Sequence, residues 1–267
     1  MPFEYPGKKL TIEERKKRLY HYTSFNSFVR IWLTKTLKFG KVTGMNDLFE
    51  NNFSSQCNNP SEFSYLDYYH EERKKYKQIS LTMDYDSFTQ GCMSPMMWGI
   101  YGDKDNGVCI EFDYSELVKK LPSPVFFHDA VRYTSKFPES PKIDENAIKD
   151  LDKFLKKNQK RIFFTKHNSW AKENEYRIVS KENLLDIRGT ITAIYVTKWN
   201  SVESQCIEEL LRNDDNVSYR VVRKNPMLNV GTYIDIVDFA QFKDNQKNYQ
   251  EMLPHIKMLE IPKSLDK

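Results

Sequence analysis

The sequence predicts one α+β domain in which short, mostly antiparallel strands are interspersed with helices. Three observations carry this. Segments of strand composition and segments of helical periodicity alternate irregularly, without the regular βαβ order of a parallel sheet. The 267 residues suffice for one full core, and no internal repeat or low-complexity stretch divides them. Aromatic residues make up 14% of the chain, so Phe and Tyr must supply much of the core volume.

The elements follow in order. Thr11-Ile12-Glu13-Glu14 reads as a capping box that opens a short charged helix, so residues 1–17 form a polar leader ahead of a domain over 18–240. Arg18 to Thr23 has strand composition. Ser24 then caps a helix that sets Phe25, Phe28, Val29 and Trp32 on one face. Leu37 to Val42 is a second strand, and Met45 to Phe53 a polar loop. Glu62 to Lys77 is helical, and Ile79 to Met83 is a strand. Ser94-Pro95 starts a short helix that ends at Tyr101. Gly107 to Phe112 and Val125 to Thr134 are strands, followed by one long helix from Glu145 to Phe164. Glu175 to Ser180, Ile191 to Thr197, Val217 to Val222 and Thr232 to Phe239 complete the strands, with a helix over Ser201 to Arg212. Residues 241–267 read as a C-terminal tail.

Composition narrows the function classes. The net charge of +4 permits contact with nucleic acid without requiring it. The basic runs Arg73 to Lys75 and Lys156 to Arg161 read as solvated helix faces. No run approaches the ~18 apolar residues of a membrane helix, and the polar N-terminus has no signal-peptide core, so a cytoplasmic protein without membrane contact is expected. The four cysteines, Cys57, Cys92, Cys109 and Cys206, form no CxxC pair. Neither disulfides nor a structural metal is expected.

Several constellations could carry chemistry. His21 lies mid-strand between Tyr20 and Tyr22. Asn46, Asp47 and Glu50 cluster on a loop. Trp98 and Tyr101 lie one helical turn apart, and Lys166, Trp170, Glu173, Glu175 and Arg177 crowd the approach to a strand. Each has a plainer reading: a packed histidine, loop and helix caps, core aromatics, and an ion-pair ladder in which Arg177 neutralises Glu175. P-loop, GxGxxG, GxSxG and HExxH motifs are absent.

Taken together, Tyr20 to Tyr22, Asn46 to Glu50, Met97 to Tyr101, Gly107 to Phe112 and Trp170 to Arg177 resemble the signature of a widespread prokaryotic family of unknown function. In a second respect the chain resembles ADP-ribosyltransferases. These carry, in chain order, a His or Arg on a strand, a Ser-x-Thr/Ser strand, and a Glu, often as Glu-x-Glu. Here His21, Ser80-Leu81-Thr82 and Glu173-Asn174-Glu175 stand in that order. The opening strand, helix and second strand are similar to those of DarT-type members, which modify DNA.

This second resemblance implies an ADP-ribosyltransferase-like fold, NAD as substrate, and a role for each residue. Glu175 would hold the ribose 2′-OH and stabilise the cationic transition state. Glu173, on the same extended segment, would deprotonate the acceptor. His21 would hold the ribose or carboxamide, Tyr22 or Tyr101 would stack on nicotinamide, and Ser80 and Thr82 would line the cofactor. The middle motif departs from the family's Ser-Thr-Ser. A nucleic acid is favoured over protein arginine as acceptor, and a toxin or phage-defence setting with an antitoxin partner is implied by analogy.

Two other classes compete. A metal-dependent nuclease could use Asp47, Glu50, Glu111, Asp113, Glu173 and Glu175, although Arg177 stands where such a site would want lysine. A binding module for a nucleotide or peptide would need only the aromatic pocket.

Overall fold

The computed structural model describes residues 8–42, 60–121, 127–136, 142–225 and 233–247. The Asn46, Asp47 and Glu50 cluster and Cys57 lie outside these residues. The architecture is the expected α+β arrangement: a mixed, mostly antiparallel sheet with helices against it.

The elements are α1 (Ile12–Arg15), β1 (Arg18–Thr23), α2 (Phe25–Thr34), β2 (Thr36–Lys38), β3 (Gly40–Lys41), α3 (Pro60–Lys74), β4 (Lys77–Met83), α4 (Pro95–Tyr101), β5 (Val108–Asp113), α5 (Tyr114–Lys119), β6 (Phe127–Ala130), β7 (Arg132–Thr134), α6 (Glu145–Lys149), α7 (Leu151–Ile162), β8 (Thr165–His167), β9 (Glu175–Ser180), β10 (Leu184–Asp186), β11 (Ile191–Val196), α8 (Val202–Leu211), β12 (Ser218–Asn225) and β13 (Tyr233–Asp238). A further helix runs over 239–247. It straddles residue 240 and buries Phe242 against Trp199.

The nine-stranded sheet has the order β13-β12-β11-β5-β1-β4-β9-β6, with β3 on the edge of β4. β11 and β12 are parallel, and α8 makes the crossover that parallel neighbours need. β2 pairs β10 and β7 pairs β8 in two small side sheets.

Local chemistry explains most boundaries. Thr11 Oγ1 and Glu14 close the capping box on α1. Ser24 caps α2, and Ser94 caps α4 with Pro95 in its first turn. Three expectations need correction. Leu37 to Val42 is not one strand: Phe39 N–H turns aside to bond Asn183 O at 2.9 Å and separates β2 from β3. The helix expected over 145–164 breaks at Asp150 (φ −140°, ψ 71°), whose side chain caps α7 by accepting from Lys153 N–H. The strand expected over 125–134 is β6 and β7, joined at Val131; residues 125–126 lie outside the described residues.

One face of the sheet is mostly apolar, with Leu19, Leu81, Ile110, Ile178 and Ile194 packed under Phe28, Ile31 and Trp32 of α2 and Ile207 of α8. The opposite face carries two separate clusters. Tyr20, Tyr22, Cys109 and Tyr195 pack under Cys92, Met97 and Trp98. At the other end Val179 and Phe127 pack with Tyr76, Phe163 and Leu155. Arg73, expected on a solvated helix face, is instead buried, whereas Lys74 beside it is exposed.

Trp98 belongs to this packing. It is 2% exposed, donates Nε1–H to Cys92 O at 2.8 Å, and meets Tyr22 edge to face at 5.1 Å. Trp98→Ala is expected to lower folding stability by about 3–5 kcal/mol, measured by urea denaturation. A wild-type midpoint would contradict this placement.

Candidate active site

Between the two clusters on that second face runs a polar strip. Cross-strand register sets Thr82 opposite Glu175 and Ser80 opposite Arg177, and Thr82 is also paired with Tyr20 on β1. These residues share a face because paired residues point the same way. β1, β4 and β9 are consecutive in the sheet, so the three segments singled out in the sequence are neighbours in space.

Glu175 and Arg177 are joined by a two-pronged contact, Nε to Oε1 at 2.7 Å and Nη2 to Oε2 at 2.9 Å. Arg177 also donates Nη1–H to Phe163 O at 2.7 Å. Lys166 Nζ lies 2.5 Å from Glu173 Oε2 and 3.5 Å from Glu175 Oε2, and it sits over the Trp170 ring at 4.7 Å. Tyr101 OH donates to Glu173 Oε1 at 2.6 Å. The four ionic groups are 5% exposed or less. Two carboxylates and two cations balance, the condition under which buried charge is tolerated.

Glu173 does not lie on an extended segment with Glu175, as alternation implied. It ends a 3-10 turn over Asn168–Glu173, and Asn174 then takes a left-handed conformation (φ 49°, ψ 50°). Asn tolerates that conformation better than most residues. Its Nδ2 donates to Met83 O and Asp84 O, both at 2.9 Å. The turn pins the start of β9 to the end of β4 and brings Glu173 back beside Glu175 through Lys166.

A cavity of about 320 Å3 opens over this strip. Tyr20, Tyr22, Ser80, Thr82, Met97, Tyr101, Lys166, Glu173 and Glu175 line one side, and His21, Lys38, Gly40, Gln78, Ile79 and Leu81 complete it. His21 reaches it differently from Glu175. It pairs with Ile110 and lies on the face of β1 opposite Tyr20 and Tyr22. It enters because the sheet parts there. β1 leaves β4 after Tyr20–Thr82, and β3 takes up the same edge at Gln78 and Lys77. His21 Nδ1 sits 3.4 Å from Ser80 O in this gap, so groups from both faces meet in one cleft.

Of the aromatic candidates, Tyr101 and Tyr22 line the cleft, and Tyr22 OH is committed to Gly91 O at 2.6 Å. A side chain at Gly91 would collide with Tyr20 Cδ2 at 2.3 Å, so glycine there lets the chain pass under the tyrosines. Trp98 lies outside the lining, and Trp170 contacts the cleft only through Lys166. Lys38 and Gln78 were missed. Nothing local marks Lys38 or Gln78, because strand pairing alone brings them to the cleft. Among the described residues no group of three or more His, Cys, Asp or Glu side chains is arranged to hold a metal ion.

Burial alone would raise the Glu175 pKa, but Arg177, then Lys166 and the Ser80 hydroxyl outweigh it and leave the carboxyl below its ordinary 4.5. Burial lowers His21 and His128 below their ordinary 6.5. A depressed carboxyl stabilises the fold above its unfolded pKa, and that contribution is lost as pH falls through the folded value. The neutral histidines act in the same direction below pH 6.5. Asp84, raised by burial despite Arg18, acts in the opposite direction. The melting temperature is expected to fall as pH drops below 6.5, where the histidines charge, and to fall further below 4.5, where Glu175 takes up its proton; a melting temperature that holds or rises across both steps would contradict the assignment.

A family described as a protein of unknown function (DUF2971) has a model that matches residues 97–178. No curated protein and no solved structure matches the chain. The matched stretch takes in Tyr101, Lys166, Glu173, Glu175 and Arg177, and leaves His21 and Ser80 outside. Over the part that carries the buried charge network, the chain is similar to an uncharacterised family.

Proposed function

We propose that the cleft binds NAD, cleaves its nicotinamide–ribose bond, and passes ADP-ribose to an acceptor. One observation carries the reading: neighbouring strands β1, β4 and β9 bring His21, Ser80 and Thr82, and Glu175 to a single cleft. Its volume lies in the range of small-molecule sites, about 300–1,000 Å3.

The chemistry follows from the charges. The ribose C1–nitrogen bond breaks, its electron pair leaves with neutral nicotinamide, and positive charge develops on the ribose. Glu175, held ionised and fixed by Arg177, is a preorganised carboxylate of the kind that stabilises such charge. Its contact with Lys166, at 3.5 Å, is too long for a strong hydrogen bond, and the Ser80 hydroxyl that also bonds the carboxylate is the partner a ribose 2′-OH would replace. Glu173 accepts the proton of the nucleophile that attacks C1, and Lys166 and Tyr101 hold it in place. Tyr101 offers a ring to nicotinamide. Neutral His21 supplies a hydrogen bond from the far bank of the gap.

For the acceptor we favour nucleic acid over protein arginine. The net charge of +4 and the exposed lysines of α7, Lys153, Lys156, Lys157 and Lys160, suit phosphate approach. The Glu-x-Glu spacing argues for arginine. A toxin or phage-defence setting, with an antitoxin partner, rests on analogy alone.

The test is to incubate purified protein with labelled NAD, nucleic acid and total cell protein in the presence of a chelator. Slow nicotinamide release is expected, with label that resists protease and is lost to nuclease. Label lost to protease instead would assign a protein acceptor, and no release from NAD would refute the reading.

A further inference from the structure

The cleft is electrically two-ended, and the proposed reaction uses only one end. Its acidic bank holds Glu173 and Glu175, and the cation beside them, Lys166, is committed to both. Arg177 lies behind Glu175 and is occupied by it and by Phe163 O. His21 is driven toward its neutral form by burial. One lining cation remains. Lys38, at the end of β2, reaches the opposite bank, is exposed, and has no ion pair or side-chain hydrogen bond among the described residues.

Its place follows from the gap. β2 and β3 are separate strands because Phe39 N–H bonds Asn183 O, and β3 then joins β4 at Gln78 and Lys77 while β1 is withdrawn. Lys38 precedes that joint and stands across the opening from β9. A lysine ammonium is a compact charge with three donors and suits phosphate oxygens. A ligand that is cationic at one end and anionic at the other fits a cleft so divided.

We propose that Lys38 is the anion contact of the cleft, holding the diphosphate of a dinucleotide whose other end meets Glu173 and Glu175. The role deepens the NAD reading and rests on it for the orientation of the ligand. The cleft then selects phosphorylated ligands, and the bare nucleoside gains nothing from Lys38.

The experiment titrates ADP-ribose and nicotinamide riboside into wild-type protein, Lys38→Ala and Lys38→Arg, alongside NAD cleavage kinetics. The exposure of Lys38 makes both variants compatible with folding, which circular dichroism checks. ADP-ribose binding is expected to weaken roughly tenfold in Lys38→Ala, to be largely kept in Lys38→Arg, and to weaken with salt. Nicotinamide riboside binding should be the same in all three. For NAD, Lys38→Ala should raise KM with little change in kcat.

Wild-type protein that cleaves NAD while Lys38→Ala keeps the same KM and ADP-ribose affinity would overturn the role of Lys38 and leave the transferase reading standing. Lys38-dependent binding of ADP-ribose without NAD cleavage would support the anion contact and sink the transferase reading. No binding of ADP-ribose to wild-type protein would overturn the anion contact, and if NAD is not cleaved either, the transferase reading falls with it.

Discussion

Arg177→Met is expected to lower folding stability by about 3–5 kcal/mol, the usual effect of removing one partner from a buried ion pair. Arg177 is 1% exposed, grips both oxygens of Glu175, and satisfies Phe163 O. Methionine fills much of the volume but leaves Glu175 with the Ser80 hydroxyl and, as its sole cation, the long contact to Lys166, which Glu173 already engages at 2.5 Å. Two carboxylates would then share one cation, and the Glu175 pKa would rise. Arg177→Lys should fall between the two, because an ammonium cannot reproduce the planar fork. Urea denaturation checks the series. A loss under about 1 kcal/mol, the level of an exposed pair, would show that the network is not closed as described.

The larger effect on activity is expected from Glu175→Gln. The substitution keeps the shape and an oxygen for Arg177 but removes the charge a cationic transition state needs. Nicotinamide release should drop roughly 100- to 1,000-fold, the scale seen when one preorganised electrostatic contact is lost. The assay belongs below the melting temperature of the variant, since Arg177 and Lys166 lose a counter-charge. Glu173→Gln should behave differently, retaining some release to water while losing transfer to the acceptor. Undiminished release in Glu175→Gln would make Glu175 purely structural.

The local part of the architecture was legible in the sequence, because it is local chemistry. The capping box at Thr11, the Ser94-Pro95 start and the apolar face of α2 depend on residues within a turn or two. Asp150 shows the limit of periodicity. The apolar spacing of 145–164 continues, but a side chain that can cap α7 ends one helix and begins another. Asn174 was visible and misread: alternation sets Glu173 and Glu175 on one extended face, whereas asparagine allows a left-handed turn.

The cleft was less legible because it is made by long-range pairing. Chain order suggested that His21, Ser80 and Glu175 face one side of the sheet; β1, β4 and β9 are adjacent and all three residues line the cleft, but His21 points to the opposite face from Glu175, which counts against the chain-order argument. That His21 arrives from the other face, through a gap between β1 and β3, depends on which strand takes which stretch of β4. Trp98 and Tyr101 make the same point. Three residues apart on α4, one packs under Tyr22 and the other reaches Glu173, a distinction set by what lies beside each.

The transferase reading is tested most directly by a crystal structure of the protein with NAD or a non-cleavable analogue. It predicts the nicotinamide ribose in the cleft, with its 2′-OH within hydrogen-bonding distance of Glu175 and the ring beside Tyr101. A ligand bound elsewhere, or a cleft that leaves the ribose remote from both Glu175 and His21, would contradict it.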